Sequence, residues 1–324
     1  MRFALQIGWQ DARELRDTAQ EAEELGYSVI YLPDHLVHEG PERQRSPEPA
    51  YDPIVQAAII IEATKRVRVG HLVLCNLFRH PAVTARSLAT LDELSGGRFI
   101  AGLGSGWTET EFRMTGIPFP DITTRLRMLD EALTCIRGLW SAAPFSFSGE
   151  FYTFRDAELL PRPVQRPHPP FLLGGSGKGL LRIAARHADA VNLIATTGKA
   201  GYIAMSEVGK VTDASFRAKT RFLREEAARH GRDARKIELS QALFTTMLTD
   251  SPDATRGTAE SFGRMLGLGH EDVLRSPLSL IGTPEECIAE LKRRAREWEI
   301  AETIFSVRSR DVMRRLAHDV LPHV

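Results

Sequence analysis

The sequence is poor in cysteine, carries no excess of either charge and has no long apolar run. Each shortage removes a class of protein. Only 3 of the 324 residues are cysteine. Cys75, Cys135 and Cys287 stand far apart and form no CxxC pair, so neither a disulfide scaffold nor a redox dithiol is indicated. A reducing, cytoplasmic setting is expected. Lys+Arg and Asp+Glu number 42 each, giving a net charge of zero. The basic excess that drives electrostatic nucleic-acid binding is missing, and no nucleic-acid partner is expected. The one basic run, "KRRAREWE" at 292–299, reads as a solvated helix face. No apolar stretch approaches the ~18 residues that a membrane span needs, so no membrane partner is expected. The opening "MRFALQIGWQDAREL" turns charged at once, which suits a first strand rather than a signal peptide. The ten histidines form no HExxH or comparable cluster, so no metal is expected. No GxSxG elbow suggests a serine hydrolase.

What is there is an alternation of two periodicities. Strand-like runs ("RFALQIG", "SVIYLPDH", "RVRVGHLVLCN", "RFIAGLGSG", "PPFLLGG", "DAVNLIA", "KIELSQALFTTMLT", "AETIFSV") are interleaved with amphipathic helical stretches. The seventh strand is expected to be shorter than its run. Eight strands with polar residues gathered after them ("PDH", "CN", "GSGW", "GGSG") predict an α/β fold, a (β/α)8 TIM barrel with insertions. The length exceeds the ~250 residues of a bare barrel, and no linker divides the chain, so 1–324 is read as one domain. Three insertions stand out. Residues 36–51 form a charged, proline-rich loop that could act as a lid, 144–154 a hairpin around Ser148-Gly149, and 159–170 a proline-rich arm. The stretch 196–215 reads as a helix or a loop beyond strand six.

The most suggestive corner is "FLLGGSGKGLL" at 171–181, a strand, a glycine turn and the start of a helix. It is no Walker loop, because Gly179 is followed by Leu180 and not lysine, and GxGxxG fails at Leu180. Gly174, Gly175 and Gly177 still permit close approach to backbone, and the following helix presents free N–H groups to an anion. Lys178 adds a charge nearby. On these residues alone a phosphate site and a plain tight turn both stand open.

Other rim residues carry similar pairs of readings. Asp34 and His35 end strand two; the carboxylate can tune the imidazole for proton transfer, or the pair can cap a turn and fill space. Neighbouring strand residues face opposite ways, so one of the two is expected at the barrel mouth and the other against a loop. Cys75 and His71 read as structural. Three glycines in "GLGSG" suggest a flat group against the backbone, with Trp107 stacked on it or plugging the core.

Together, "PDH", "RVRVGHLVLCN…RHPAVTARSLATLDELSGGRFIAGLGSGW", "PRPVQRPHPPFLLGGSGKGLLRIAARHADAVNL" and "GTPEECIAELKRR" resemble the luciferase-like (bacterial luciferase superfamily) oxidoreductases, and most of all their F420-dependent branch. The resemblance covers nearly the whole chain. It implies the barrel, the deazaflavin F420 (alternatively FMN) as cofactor, a small-molecule substrate and a homodimer. It implies His35 as proton donor or acceptor beside Asp34, and a bulge with a non-prolyl cis peptide at Leu72-Val73 under the ring. Cys75, Ser105, Gly106 and Trp107 then line the ring or its ribityl chain, and Gly174 and Gly175 hold the phosphate. Trp107 departs from the sugar-phosphate dehydrogenases of the family, which carry a glutamate there; Glu109 and Glu111 lie nearby, but helical geometry can aim them elsewhere, so the carboxylate is not simply carried over. Lys199 resembles a phosphate-contacting lysine of that subgroup. Arg43 and Arg45, with Lys178, are candidates for the coenzyme's acidic tail on charge alone. The implied activity is an F420-dependent oxidoreductase, with an FMN-dependent monooxygenase and a non-catalytic flavin-binding protein as alternatives.

Overall fold

In a computed structural model, residues 1–38, 48–194, 211–307 and 309–324 are described. The barrel is built from β1 (Arg2–Gln6), β2 (Val29–Leu32), β3 (Arg68–His71), β4 (Leu74–Cys75), β5 (Phe99–Gly104), β8 (Phe171–Gly174), β9 (Ala190–Asn192), β10 (Glu238–Leu243) and β13 (Ile300–Ser306). β3 and β4 are two pieces of one barrel strand, both paired with β5, so the ring has eight strands. It closes because β1 pairs with β13 as well as with β2, and every pairing in it is parallel. This is the expected (β/α)8 barrel.

Eleven described helices surround it: α1 (Ala12–Glu24), α2 (Pro53–Ala63), α3 (Pro81–Leu94), α4 (Glu109–Thr115), α5 (Ile122–Leu139), α6 (Lys178–His187), α7 (Asp213–Arg229), α8 (Pro252–Leu266), α9 (His270–Leu274), α10 (Pro284–Glu297) and α11 (Arg310–Asp319). Their starts follow local chemistry. Asp11, Asp52 and Asp121 accept the first free N–H groups of α1, α2 and α5. Thr283 and Glu286 close a reciprocal capping box on α10. No helix among the described residues is long and apolar enough to cross a membrane.

Strand alternation divides the core in two. Leu5, Ile30, Val69, Phe99, Leu173 and Leu239 face outward under the helices. Ala4, Tyr31, Ile100, Leu172, Ala242 and Ile304 fill the interior. At the N-terminal end the interior turns polar: the buried Tyr31 hydroxyl donates to Glu302 (2.8 Å), which Arg2 also reaches.

Two features lie off the barrel. β6 (Phe145–Ser148) and β7 (Thr153–Ala157) form the antiparallel hairpin read from 144–154. The long seventh run splits at the exposed Phe244. Its second half, β11 (Thr245–Leu248), leaves the ring and pairs with β12 (Ser279–Gly282), a strand not anticipated from the sequence.

Candidate active site

The site is organised by the break in the third barrel strand. The Leu72–Val73 peptide is cis, as the resemblance implies. The Leu72 carbonyl accepts from Gln6 Nε2 (3.2 Å), and Ser306 in turn donates to Gln6 Oε1 (2.7 Å). Val73 thereby turns into a space that two glycines leave open. A Cβ on Gly104 would lie 2.6 Å from Val73 Cγ2, and one on Gly174 3.0 Å from Val73 Cγ1. Gly106 has φ +75°, and a Cβ there would meet Cys75 Sγ at 2.8 Å. The break therefore presses the C-terminal ends of the third, fourth and fifth barrel strands around one side chain. Leu72, Val73, Cys75, Gly106 and Gly174 are brought together, with the half-buried Ser105 between Gly104 and Gly106.

Asp34 and His35 divide the work. Asp34 is buried and faces the protein: Arg79 donates to both its oxygens (2.6 and 3.2 Å), and the Cys75 N–H to one of them (2.9 Å). Burial pushes the Asp34 carboxyl up, against the pull of Arg79. Arg79 also binds Asp52, the cap of α2 (2.9 Å). His35 lies at the rim with Trp107 edge-on to its ring, the centroids 5.4 Å apart. The carboxylate hydrogen-bonded to the imidazole is that of Glu111, whose two oxygens stand 3.2 and 3.3 Å from Nδ1. Glu111 is buried on α4 and also accepts from the Leu36 and Val37 N–H groups (2.5 and 3.3 Å). A buried carboxylate on an imidazole that itself reaches the rim can hold a proton in place or pass one on.

Glu111 and Arg79 were missed from sequence. "T-E-T-E" at 108–111 has the spacing of a capping box, which would spend the glutamate on the helix start. The box does not form. Thr108 makes no side-chain cap and its hydroxyl is buried without a hydrogen-bond partner, leaving Glu111 for the strand-two loop.

At the glycine corner, the Gly175 N–H (φ +136°) donates to the Asn192 carbonyl (3.0 Å). Asn192 is fully buried; its amide donates to Ser240 and its Oδ1 finds no partner. Gly177 provides α6 with no side-chain cap, so the first-turn N–H groups remain available to a ligand. Lys178 sets its ammonium 5.6 Å from the Phe222 ring of α7. Among the described residues, Lys219 reaches the corner, its Nζ 3.0 Å from Ser176 Oγ. An uncapped helix start beside glycine-rich strand ends fits the phosphate of a cofactor.

Two neighbours are structural, as read. His71 is fully buried, its Nε2 3.2 Å from the Pro53 carbonyl, and burial pushes it down to about 4. Burial pushes the Cys75 thiol up to about 12, which suits filler and not a nucleophile. Arg43, Arg45 and Lys199 lie outside the described residues, as does most of 36–51 and 196–215. Among the described residues no cluster of His, Cys, Asp and Glu could hold a metal ion.

Comparison with known proteins identifies the family. The family model for luciferase-like monooxygenases matches residues 3–301. An F420-dependent glucose-6-phosphate dehydrogenase of Amycolatopsis mediterranei is 36% identical over 191 residues, 58% of this chain and 54% of that protein. An FMNH(2)-dependent dimethylsulfone monooxygenase of Pseudomonas putida is 38% identical over 130 residues, 40% of this chain and 36% of that protein. The chain thus spans about half or less of the length of these curated relatives. The coenzyme F420-dependent tetrahydromethanopterin reductase of Methanopyrus kandleri shares the fold, with a TM-score of 0.78, 19% identity and 99% of each chain covered.

Proposed function

The chain belongs to the luciferase-like monooxygenase family, and from that premise we propose that it is an oxidoreductase that uses the deazaflavin F420 on a small organic substrate. The observation that carries this reading is the convergence, on one rim, of the Val73 cradle, the uncapped glycine corner and the Glu111–His35 pair. Hydride exchange at a ring carbon is the chemistry that a bound deazaflavin supplies. Leu72, Val73, Cys75, Ser105, Gly106 and Trp107 line its ring and ribityl chain. The first turn of α6, approached past the side-chain-free Gly174 and Gly175, holds its phosphate, because the Gly175 N–H is already given to the Asn192 carbonyl. His35 holds or releases the coupled proton at Nε2, the nitrogen turned away from Glu111. Asp34 fixes the end of strand two through Arg79 and the Cys75 N–H. Trp107 stands where the sugar-phosphate dehydrogenases carry a glutamate, which argues against a sugar phosphate as substrate.

The FMN-dependent monooxygenase is the second reading, favoured by the Pseudomonas putida relative. A non-catalytic flavin-binding protein is disfavoured by the buried Glu111 carboxylate held on His35.

The test is a titration with F420 and, separately, FMN, followed by tryptophan fluorescence, on the wild type and Gly177→Asp. Gly177 has extended N-cap backbone, and a Cβ there meets nothing within 4 Å. Aspartate is therefore expected to cap α6 and raise stability by roughly 0.3 kcal/mol. Its carboxylate also takes the N–H groups proposed for the phosphate. F420 should bind the wild type more tightly than FMN, and Gly177→Asp should weaken F420 at least ~10-fold while its Tm holds or rises. Preference for FMN moves the assignment to the monooxygenase. No binding of either removes the cofactor reading.

A further inference from the structure

We infer that Glu111 is a positioning residue: it fixes His35 as the Nδ1–H tautomer and leaves Nε2 as the one atom through which the imidazole gives and takes a proton. The first half rests on geometry alone, the second on the functional reading above. The backbone settles the polarity of the contact. Leu36 and Val37 N–H can only donate, and both donate to Glu111 Oε1. The carboxyl group is therefore an acceptor at that oxygen. Both its oxygens lie within 3.3 Å of His35 Nδ1. An acceptor at that distance requires a donor, so the neutral imidazole carries its hydrogen on Nδ1 and a lone pair on Nε2.

The proton then balances simply. When substrate is oxidised, the proton it releases from O–H or N–H goes to Nε2. The imidazolium formed lies against a carboxylate whose side chain is only 3% exposed. When substrate is reduced, the same proton leaves Nε2. Among the described residues, the other charged groups named near the ring do not compete for Nδ1. Asp34, on the same strand end, is bound by Arg79 and the Cys75 N–H. His38 keeps its ring centroid 6.3 Å away, and Trp107, the neighbour from the turn after β5, is uncharged.

The test is Glu111→Gln. The amide has the same shape, and its carbonyl can keep the Leu36 and Val37 N–H groups. Its NH2 then stands at the second carboxylate oxygen's place beside Nδ1 and competes with the retained carbonyl there, which shifts the ring toward the Nε2–H tautomer. Exchanging the carboxylate for an amide behind a catalytic histidine is known to select the wrong tautomer without moving the residues. Long-range 1H–15N spectra of the cofactor-free protein at pH 8 read the tautomer directly, with His35→Gln identifying the His35 signals. Nδ1–H is expected in the wild type and Nε2–H in Glu111→Gln. With F420 bound and a substrate found by screening, kcat should fall roughly 10²- to 10⁴-fold with F420 affinity unchanged. An Nε2–H signal in the wild type overturns the proposal with no variant needed, even if Glu111→Gln fails to fold. An unchanged tautomer in both folded Glu111→Gln and folded Glu111→Leu, the second with no acceptor left for Nδ1–H at that position, also overturns it. If the tautomers behave as expected but F420 does not bind the wild type, the functional reading falls and the tautomer assignment stands.

Discussion

His35 and His71 end adjacent barrel strands, and their surroundings give them opposite work. His35 reaches the rim and keeps a carboxylate. His71 is sealed beneath α2 with a carbonyl 3.2 Å away and the Phe99 ring at its edge. Burial holds its pKa at about 4, below the ~6.5 of an unfolded chain. The fold thus accepts only the neutral ring. For a base depressed in this way the stabilisation is complete above ~6.5 and is lost as pH falls toward 4. At most it amounts to ~3 kcal/mol, of which ~2 should be gone by pH 5. Urea melts of the wild type and His71→Gln at pH 7.5 and 5 isolate it, since the other titrating groups are common to both. The wild type should lose ~2 kcal/mol more than the variant over that interval; equal losses would show that His71 does not titrate as its burial demands. At this scale the sequence was readable where a residue follows its local pattern. His71 and Cys75, inside a β-branched run, were read as structural and are buried. Glu111 was not readable, because its spacing from Thr108 announces a cap that the tertiary structure overrides.

Between elements, Arg79 acts as a clasp. It follows β4 and joins Asp34, at the end of β2, to Asp52, the cap of α2. The Asp34 side chain is 1% exposed, so the guanidinium is what allows a charge to sit there. Removing one partner of a buried pair commonly costs ~3–5 kcal/mol, and Arg79→Met is expected to fall in that range at pH 8. Burial already pushes the Asp34 carboxyl up, and the variant deletes the main opposing pull. A carboxyl raised in the fold costs stability as pH rises above its unfolded value and none below it. The Arg79→Met deficit should therefore be largest at pH 8 and shrink toward pH 5, as Asp34 takes up a proton. A deficit of equal size at both pH values would mean that lost packing, and not the uncompensated charge, dominates. The caps of α1, α2 and α5 follow from Asp at each start, which is why helix positions were legible. The clasp was not, because it joins residues 34, 52 and 79, whose meeting depends on the barrel having closed.

For the whole molecule, the eight-strand count was legible because parallel barrel strands are buried on both faces and read as apolar runs. β12 escaped notice because it is four residues long, has only one partner strand and lies off the ring. The closed barrel also makes the three thiols a probe of opening. Cys75 lies at the rim, Cys135 on α5 and Cys287 on α10, all buried. Burial pushes each up to about 12. At pH 8 that leaves roughly one thiolate in ten thousand, and the thiolate is the reacting form. Native protein should therefore react with a disulfide reagent only through opening events, whereas guanidinium-unfolded protein should titrate 3 thiols. Resolved by mass spectrometry, Cys135 and Cys287 should label together, at the rate set by global unfolding. Cys75 is held by the strand ends around Val73, so separation of those ends alone exposes it, and it should label first. If the cradle holds a cofactor as proposed, saturating F420 should slow Cys75 and leave the other two unchanged. Rapid labelling of Cys135 or Cys287 in native buffer would show that the outer layer opens independently of the barrel. Slowing of all three by F420 would place the coupling in the global fold and not at the third-strand break.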